Sequence, residues 1–80
     1  RGMFILQSSS HIDCNVGDNV EKQLGENWRN AGIVVSVAHV NEQTIACAVL
    51  PTDFELSESV RVKNNTQGTF TVTKPAYFVD

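Results

Sequence analysis

His11, Asp13 and Cys14 lie within four residues of one another, and an imidazole, a carboxylate and a thiol are the parts of a nucleophilic site. Such parts act only when they meet in space with donors placed for the developing oxyanion. Local proximity does not supply that, and no second segment offers an obvious donor pair. The segment therefore reads as a polar loop rather than a catalytic centre. His39, the other imidazole, falls in an apolar run and reads as a histidine on the partly exposed face of a sheet. A metal would need more ligands than His11, His39 and two distant cysteines provide. Asp53, Glu55 and Glu58 surround Phe54 and Leu56. Clustered carboxylates can bind calcium or move protons, but this spacing fits a solvated loop that keeps two apolar anchors in place. Gly17, Gly25 and Gly32 stand too far apart to cradle a phosphate. The expectation is no enzyme, no metal and no cofactor.

Cys14 and Cys47 show no C-x-x-C spacing, so neither zinc nor dithiol chemistry is indicated. Two cysteines fall short of a disulfide framework, and they read as reduced, semi-buried thiols, with one disulfide as the other option. Asn64-Asn65-Thr66 matches a glycosylation sequon, which has meaning only on a secretory route.

Eighty residues allow one domain, 1–80, and a chain of this size buries only about 60% of its unfolded surface. Its own stability is therefore expected to be small. Val and Ile number fifteen against five for Leu and Met, a balance that favours pleated sheet over helix. Nine acids against six bases give a net charge of −3, with the bases scattered. A nucleic-acid surface normally concentrates positive charge, so sequence-specific nucleic-acid binding is disfavoured. The longest apolar run, Ile45 to Leu50, is far shorter than a transmembrane helix, and no secretory signal is apparent. The opening Arg1, the single methionine at Met3 and an apolar group at Tyr77–Val79 read as parts of a longer subunit.

Met3 to Gln7 predicts a strand, and Ile12 to Val16 a second short segment. Gly17-Asp18-Asn19 is a turn signal. Between Asn19 and Ala31, the residues Val20, Leu24, Trp28 and Ala31 recur at spacings of four, four and three, which predicts one face of a short helix. Asn19 or Asp18 would cap it, Glu21 would favour its first turn, and Gly32 would end it. Gly25 weakens such a helix by about 1 kcal/mol, and the other reading of 17–32 is a long insertion loop. Ile33 to Val40 predicts a strand apolar on both faces, hence covered on both sides. Asn41-Glu42-Gln43 predicts a hairpin turn into Thr44–Leu50, which Pro51 ends. Val60–Lys63 and Thr69–Thr73 alternate strictly around a turn at Asn64–Gly68, with Val60, Val62, Phe70 and Val72 inward. Tyr77, Phe78 and Val79 predict the start of a last strand. The fold class is thus all-β and mainly antiparallel: a small β-barrel or sandwich with one short helix or long insertion loop.

From Val49-Leu50-Pro51-Thr52-Asp53, through Phe54 and Leu56, to Val60-Arg61-Val62, Thr69-Phe70-Thr71-Val72 and the Pro75–Asp80 segment, the order of elements resembles the head–tail joining (head closure or tail attachment) proteins of tailed bacteriophages. Arg1-Gly2-Met3-Phe4 resembles the Arg-Gly-x-Phe strand that begins their barrel. The resemblance spans about half the chain, and Cys14–Gly32 departs from it. It implies a structural subunit of the phage neck in the virion, put together in the host cytoplasm as a homo-oligomeric ring. Portal or adaptor and tail proteins would be its partners, with no membrane. Trp28, Leu24, Phe54 and Leu56 are the interface candidates, although Trp28 is equally well read as core. A second resemblance rests on Val16-Gly17-Asp18-Asn19-Val20 and Ala31-Gly32-Ile33-Val34-Val35-Ser36-Val37. This order is similar to SH3-like barrels of the KOW and Tudor kind, and implies a small binding module for a protein or RNA partner.

Overall fold

The computed structural model describes residues 1–75, and the expected last strand at Tyr77–Val79 lies outside them. Six strands occur in the order β1 (Gly2–Ser8), β2 (Asn19–Leu24), β3 (Asn27–Val40), β4 (Gln43–Leu50), β5 (Val60–Val62) and β6 (Asn65–Thr73). They close into an antiparallel barrel with neighbours β1-β4-β3-β2-β5-β6. Closure comes from β1, which pairs with β4 over its whole length and with β6 at Ile5↔Thr73, Leu6↔Val72 and Gln7↔Thr71. The all-β expectation is met, as a barrel rather than a sandwich.

Alternation sorts the side chains. On β4, Thr44, Ala46, Ala48 and Leu50 are buried while Ile45, Cys47 and Val49 are half-buried on the outer face. Phe4 and Leu6 of β1, Val60 and Val62 of β5, and Phe70 and Val72 of β6 complete the interior with Val20 and Val34. The inward set read from the second hairpin is therefore correct. Its turn is tighter than expected, since β6 already begins at Asn65 and Gly68 lies inside the strand.

The helix expected over Asn19–Ala31 is absent, and so is the insertion loop. The segment is a hairpin, β2 into β3, turning at Gly25-Glu26 with Leu24 paired to Asn27. Gly25 adopts φ +65°, the left-handed first position that such two-residue loops favour in glycine. Val20 is fully buried, so the hairpin is a wall of the barrel rather than a peripheral element. The register shift at Val20/Glu21 leaves Ala31 without a partner on β2. That bulge replaces simple alternation and produces the spacing that imitates a helical stripe. Leu24 and Trp28 share no helix face; they lie on opposite arms of the hairpin.

Gly32 ends no helix. It is buried within β3, where an added Cβ would collide with the Val49 carbonyl oxygen and approach Leu50 Cδ2 to 2.8 Å. The next turn joins β3 to β4 through Asn41 (φ 50°) and Glu42 (φ 68°), both left-handed, the pattern of a type I′ hairpin turn. Asn tolerates this conformation and Glu does not do so readily. Ile33, Val35 and Val40 remain exposed, so the expected cover on both faces of this strand is not provided by the described residues.

These positions give opposite predictions. Gly32→Ala should destabilise the barrel by about 2 kcal/mol or more, because the contact it would meet is backbone. Glu42→Gly should stabilise it by up to about 1 kcal/mol by relieving the left-handed strain. Urea midpoints of the two variants check both. An unchanged midpoint for Gly32→Ala would show that β3 and β4 separate more easily than the geometry states.

Candidate binding surface

Ser9 to Asp18 crosses one end of the barrel and holds the residues with the most reactive chemistry. Ile12 and Cys14 point inward and are buried, while His11 and Asp13 point out. The side chain of Thr44, fully buried on β4, fixes this segment. Its Oγ1 accepts from the Ile12 N–H at 2.8 Å and donates to the Ser10 carbonyl at 3.0 Å. His39 Nε2 donates to the Ile12 carbonyl at 3.0 Å, and the rings of His11 and His39 stack with centroids 4.2 Å apart. His11 Nε2 also meets Asp13 Oδ1 at 2.9 Å in an exposed pair. The structure thus brings His11 and Asp13 together but turns Cys14 into the core.

Burial pushes the Cys14 thiol pKa up, and the nearby negative charges of Asp18 and Asp13 push it further. A thiol in that setting stays protonated and is a poor nucleophile. Cys14 and Cys47 are both free. Asp18 is buried and works as a clamp: Oδ2 accepts from the Asn15 N–H at 2.8 Å and Oδ1 from Asn64 Nδ2 at 3.0 Å. The Val34 N–H donates to the Asp18 carbonyl, and the Lys63 N–H to the Asn19 carbonyl. One turn therefore ties β2, β3 and the β5–β6 hairpin together. Neither Asp18 nor Thr44 is recognisable as structural from sequence, because their partners lie up to 46 residues away.

The acidic loop spans the connection from β4 to β5. Phe54 turns inward, is buried, and packs edge-on against Phe4 with centroids 6.2 Å apart. It belongs to the core, which removes it from the exposed surface. Asp53, Glu55 and Leu56 face solvent. Among the described residues, no group of three or more His, Cys, Asp or Glu is placed to hold a metal ion.

Trp28 takes a different position. It is half-buried on the outside of β3, with the Arg61 guanidinium 4.1 Å from its ring centroid. Arg61 is held there by Glu21 on β2, Nε to Oε1 at 2.9 Å, both side chains being largely shielded. The register pairs Glu21 with Arg61 directly and Gln23 with Trp28. Gln23 and Trp28 border a shallow cleft of about 540 Å³ lined also by Gly25, Glu58, Ser59 and Thr69. Leu24 is exposed at the tip of the same hairpin. The Glu21–Arg61–Trp28 ladder carries no local sequence signature, because its three members come from three strands.

Residues 1–65 match the family model described as YgfZ, beta-barrel domain. A tRNA-modifying protein YgfZ of Aliivibrio fischeri (strain MJ11) is 37% identical over 67 residues, which cover 75% of this chain and 21% of that protein. The proteins of the same name from Yersinia pestis (strain Pestoides F) and Yersinia pseudotuberculosis (strain YPIII) are 37% identical over 78 residues, covering 96% of this chain and 24% of theirs. The chain thus spans about a quarter or less of the length of these curated relatives. These matches overturn the phage reading. The head–tail resemblance, the neck ring, the portal or adaptor and tail partners, and the place in a virion are all withdrawn, since the relatives are bacterial proteins named for tRNA modification. Strand order and turn spacing had carried that resemblance, and small antiparallel barrels of unrelated function share both.

The Thr44 clamp is directly testable. Thr44→Val keeps the side chain's shape but strands the Ile12 N–H and the Ser10 carbonyl, at a cost of about 1–3 kcal/mol. Hydrogen exchange over residues 10–14 should accelerate and Cys14 should alkylate faster, while the β5–β6 hairpin keeps its protection. Uniform acceleration throughout the barrel would show that the segment has no separate opening.

Proposed function

This chain belongs to the YgfZ beta-barrel domain family, and from that premise we propose that it is the barrel module of a tRNA-modifying protein. In this role it acts as a binding or docking module and contributes surface rather than reacting groups. The carrying observation is the use to which its chemically capable residues are put. Thr44 and His39 fasten the segment across the barrel end, Asp18 joins two turns, and Cys14 fills the core with its thiol held in the protonated form. A catalytic group must be free to meet substrate, and these are engaged in holding the fold. The SH3-like binding-module reading of the sequence agrees with this role better than any structural assembly does.

The net charge of −3 assigns the bulk of any tRNA contact to other parts of the longer protein. Within the barrel, the face around Glu21 and Arg61 is charged, whereas the outward positions of β1, β4 and the Ile33–Val40 half of β3 are not.

The test uses the full-length protein in cells lacking their own copy, with tRNA modification read by mass spectrometry of digested tRNA. Reintroducing the protein should restore a modification that the deletion removes. His11→Ala and Asp13→Asn should restore it to within about twofold, whereas loss of a general acid or base costs about 100-fold or more. Failure of the unaltered protein to restore any tRNA modification would overturn the family-based role. A 100-fold loss in either variant, with the fold retained, would make the barrel catalytic.

A further inference from the structure

The outer surface of the barrel divides into two unlike halves. Around β2 and β5 it carries Glu21, Gln23 and Arg61. Across β1, β4 and the Ile33–Val40 half of β3 the outward positions carry no charge, and the exposed Arg29 lies on the other half of β3, beside β2. The uncharged outward positions are Met3, Ile5 and Gln7 on β1; Gln43, Ile45, Cys47 and Val49 on β4; and Ile33, Val35, Ser36, Ala38 and Val40 on β3. Register sets them side by side: Met3, Val49 and Ile33 form one row, and Ile5, Cys47 and Ser36 the next. The register shift between Val34 and Ser36 adds Val35 to the same side. Ile33, Val35 and Val40 are 41%, 37% and 49% exposed, and polar Gln7, Gln43, Thr71 and Thr73 form a rim.

A solvated outer sheet face normally alternates with lysine, glutamate or threonine, as β6 does here. An apolar, charge-free face with a polar rim marks a surface that meets another protein surface. We propose that this face of β1, β4 and β3 is the seat of a second domain of the same longer polypeptide, which presents an uncharged, apolar surface to it. The inference rests on the chain's family and not on the role proposed above.

Two observations choose this occupant. The matched relatives carry more than three quarters of their length outside the region matched to this chain, so such a domain has chain to build it. The size of the patch decides between a tethered domain and a second copy. With strands about 4.8 Å apart and about 3.3 Å per residue, it spans roughly 15 by 20 Å, about 300 Å². Covered from both sides it buries about 600 Å² in total, within the range of contacts between domains of one chain, about 600–1,500 Å². A stable dimer needs about 1,200–2,000 Å². A tether lets the smaller contact hold, because the second domain is present at high effective concentration.

Cys47 lies in the middle of this face and reports on it, while buried Cys14 reports on the fold. In the native full-length protein, maleimide labelling of Cys47 should be slow. Val35→Glu, an exposed position on the bulge, should increase it by about tenfold or more while Cys14 remains protected. Ile33→Lys should do the same from the neighbouring row. Rapid labelling of Cys47 in the unaltered protein would overturn the proposal. So would protection that disappears on dilution, which assigns the face to a second copy, or protection that both variants leave unchanged. None of these readings depends on tRNA modification, so the proposal and the functional role fail separately.

Discussion

Closure of the sheet on itself is the constraint from which the rest of this structure follows. β1 pairs with β4 on one side and β6 on the other, so among the described residues every strand has two neighbours and no long edge is left unpaired. A chain this short cannot build a thick core, and a six-stranded ring encloses a narrow one. Small residues therefore line much of it: Ala31, Ala46 and Ala48 stand among Phe4, Leu6 and Phe70. Gly32 and Gly68 belong to the same economy of space. A Cβ on Gly68 would lie 2.6 Å from Ile12 Cδ1, so the glycine makes room for the side chain that covers the barrel end. The buried polar groups follow too. The segment across that end carries backbone groups out of reach of any strand, and Thr44 and His39 satisfy them.

Elements specified by local chemistry were legible in the sequence. The β5–β6 pair shows its inward set by strict alternation, and Asn41-Glu42 marks a turn whose neighbours agree with it on both sides. The β2–β3 hairpin was not legible, for a definite reason. Its inner face is interrupted by a bulge at Ala31, and its outer face carries Trp28, whose apolar ring is covered by Arg61 from a strand more than thirty residues on. Counted along the chain, Val20, Leu24, Trp28 and Ala31 form a stripe. In space they occupy different faces and different strands. Gly25 was the sign of the true answer: it is a cost to a helix and a requirement of the turn.

The site shows the same division more sharply. His11 and Asp13 meet because they are two residues apart, whereas the Glu21–Arg61–Trp28 ladder and the Asp18–Asn64 clamp depend on register. Pairs of that kind cannot be read before the topology is known. Family membership was illegible for a related reason. A resemblance built on the order of strands and turns reports the barrel, and many barrels share it. Identity spread over most of the chain reports descent, and it points to proteins named for tRNA modification rather than to a phage neck.

The two halves of the outer surface bring these points together. A closed barrel has no edge with which to recruit a partner, so recognition must use its faces or its ends. The end crossed by Ser9–Asp18 is sealed by buried hydrogen bonds and apolar side chains. The β2–β5 face is occupied by an internal ion pair whose arginine is already stacked on Trp28. The face of β1, β4 and β3 differs from both, and there the apolar character of Ile33–Val40 on both sides had suggested a covered strand. The inner cover is the barrel core. The outer rows are apolar and uncharged although alternation would let them be polar at no cost to that core, and a surface free to be polar that stays apolar is explained by what it meets.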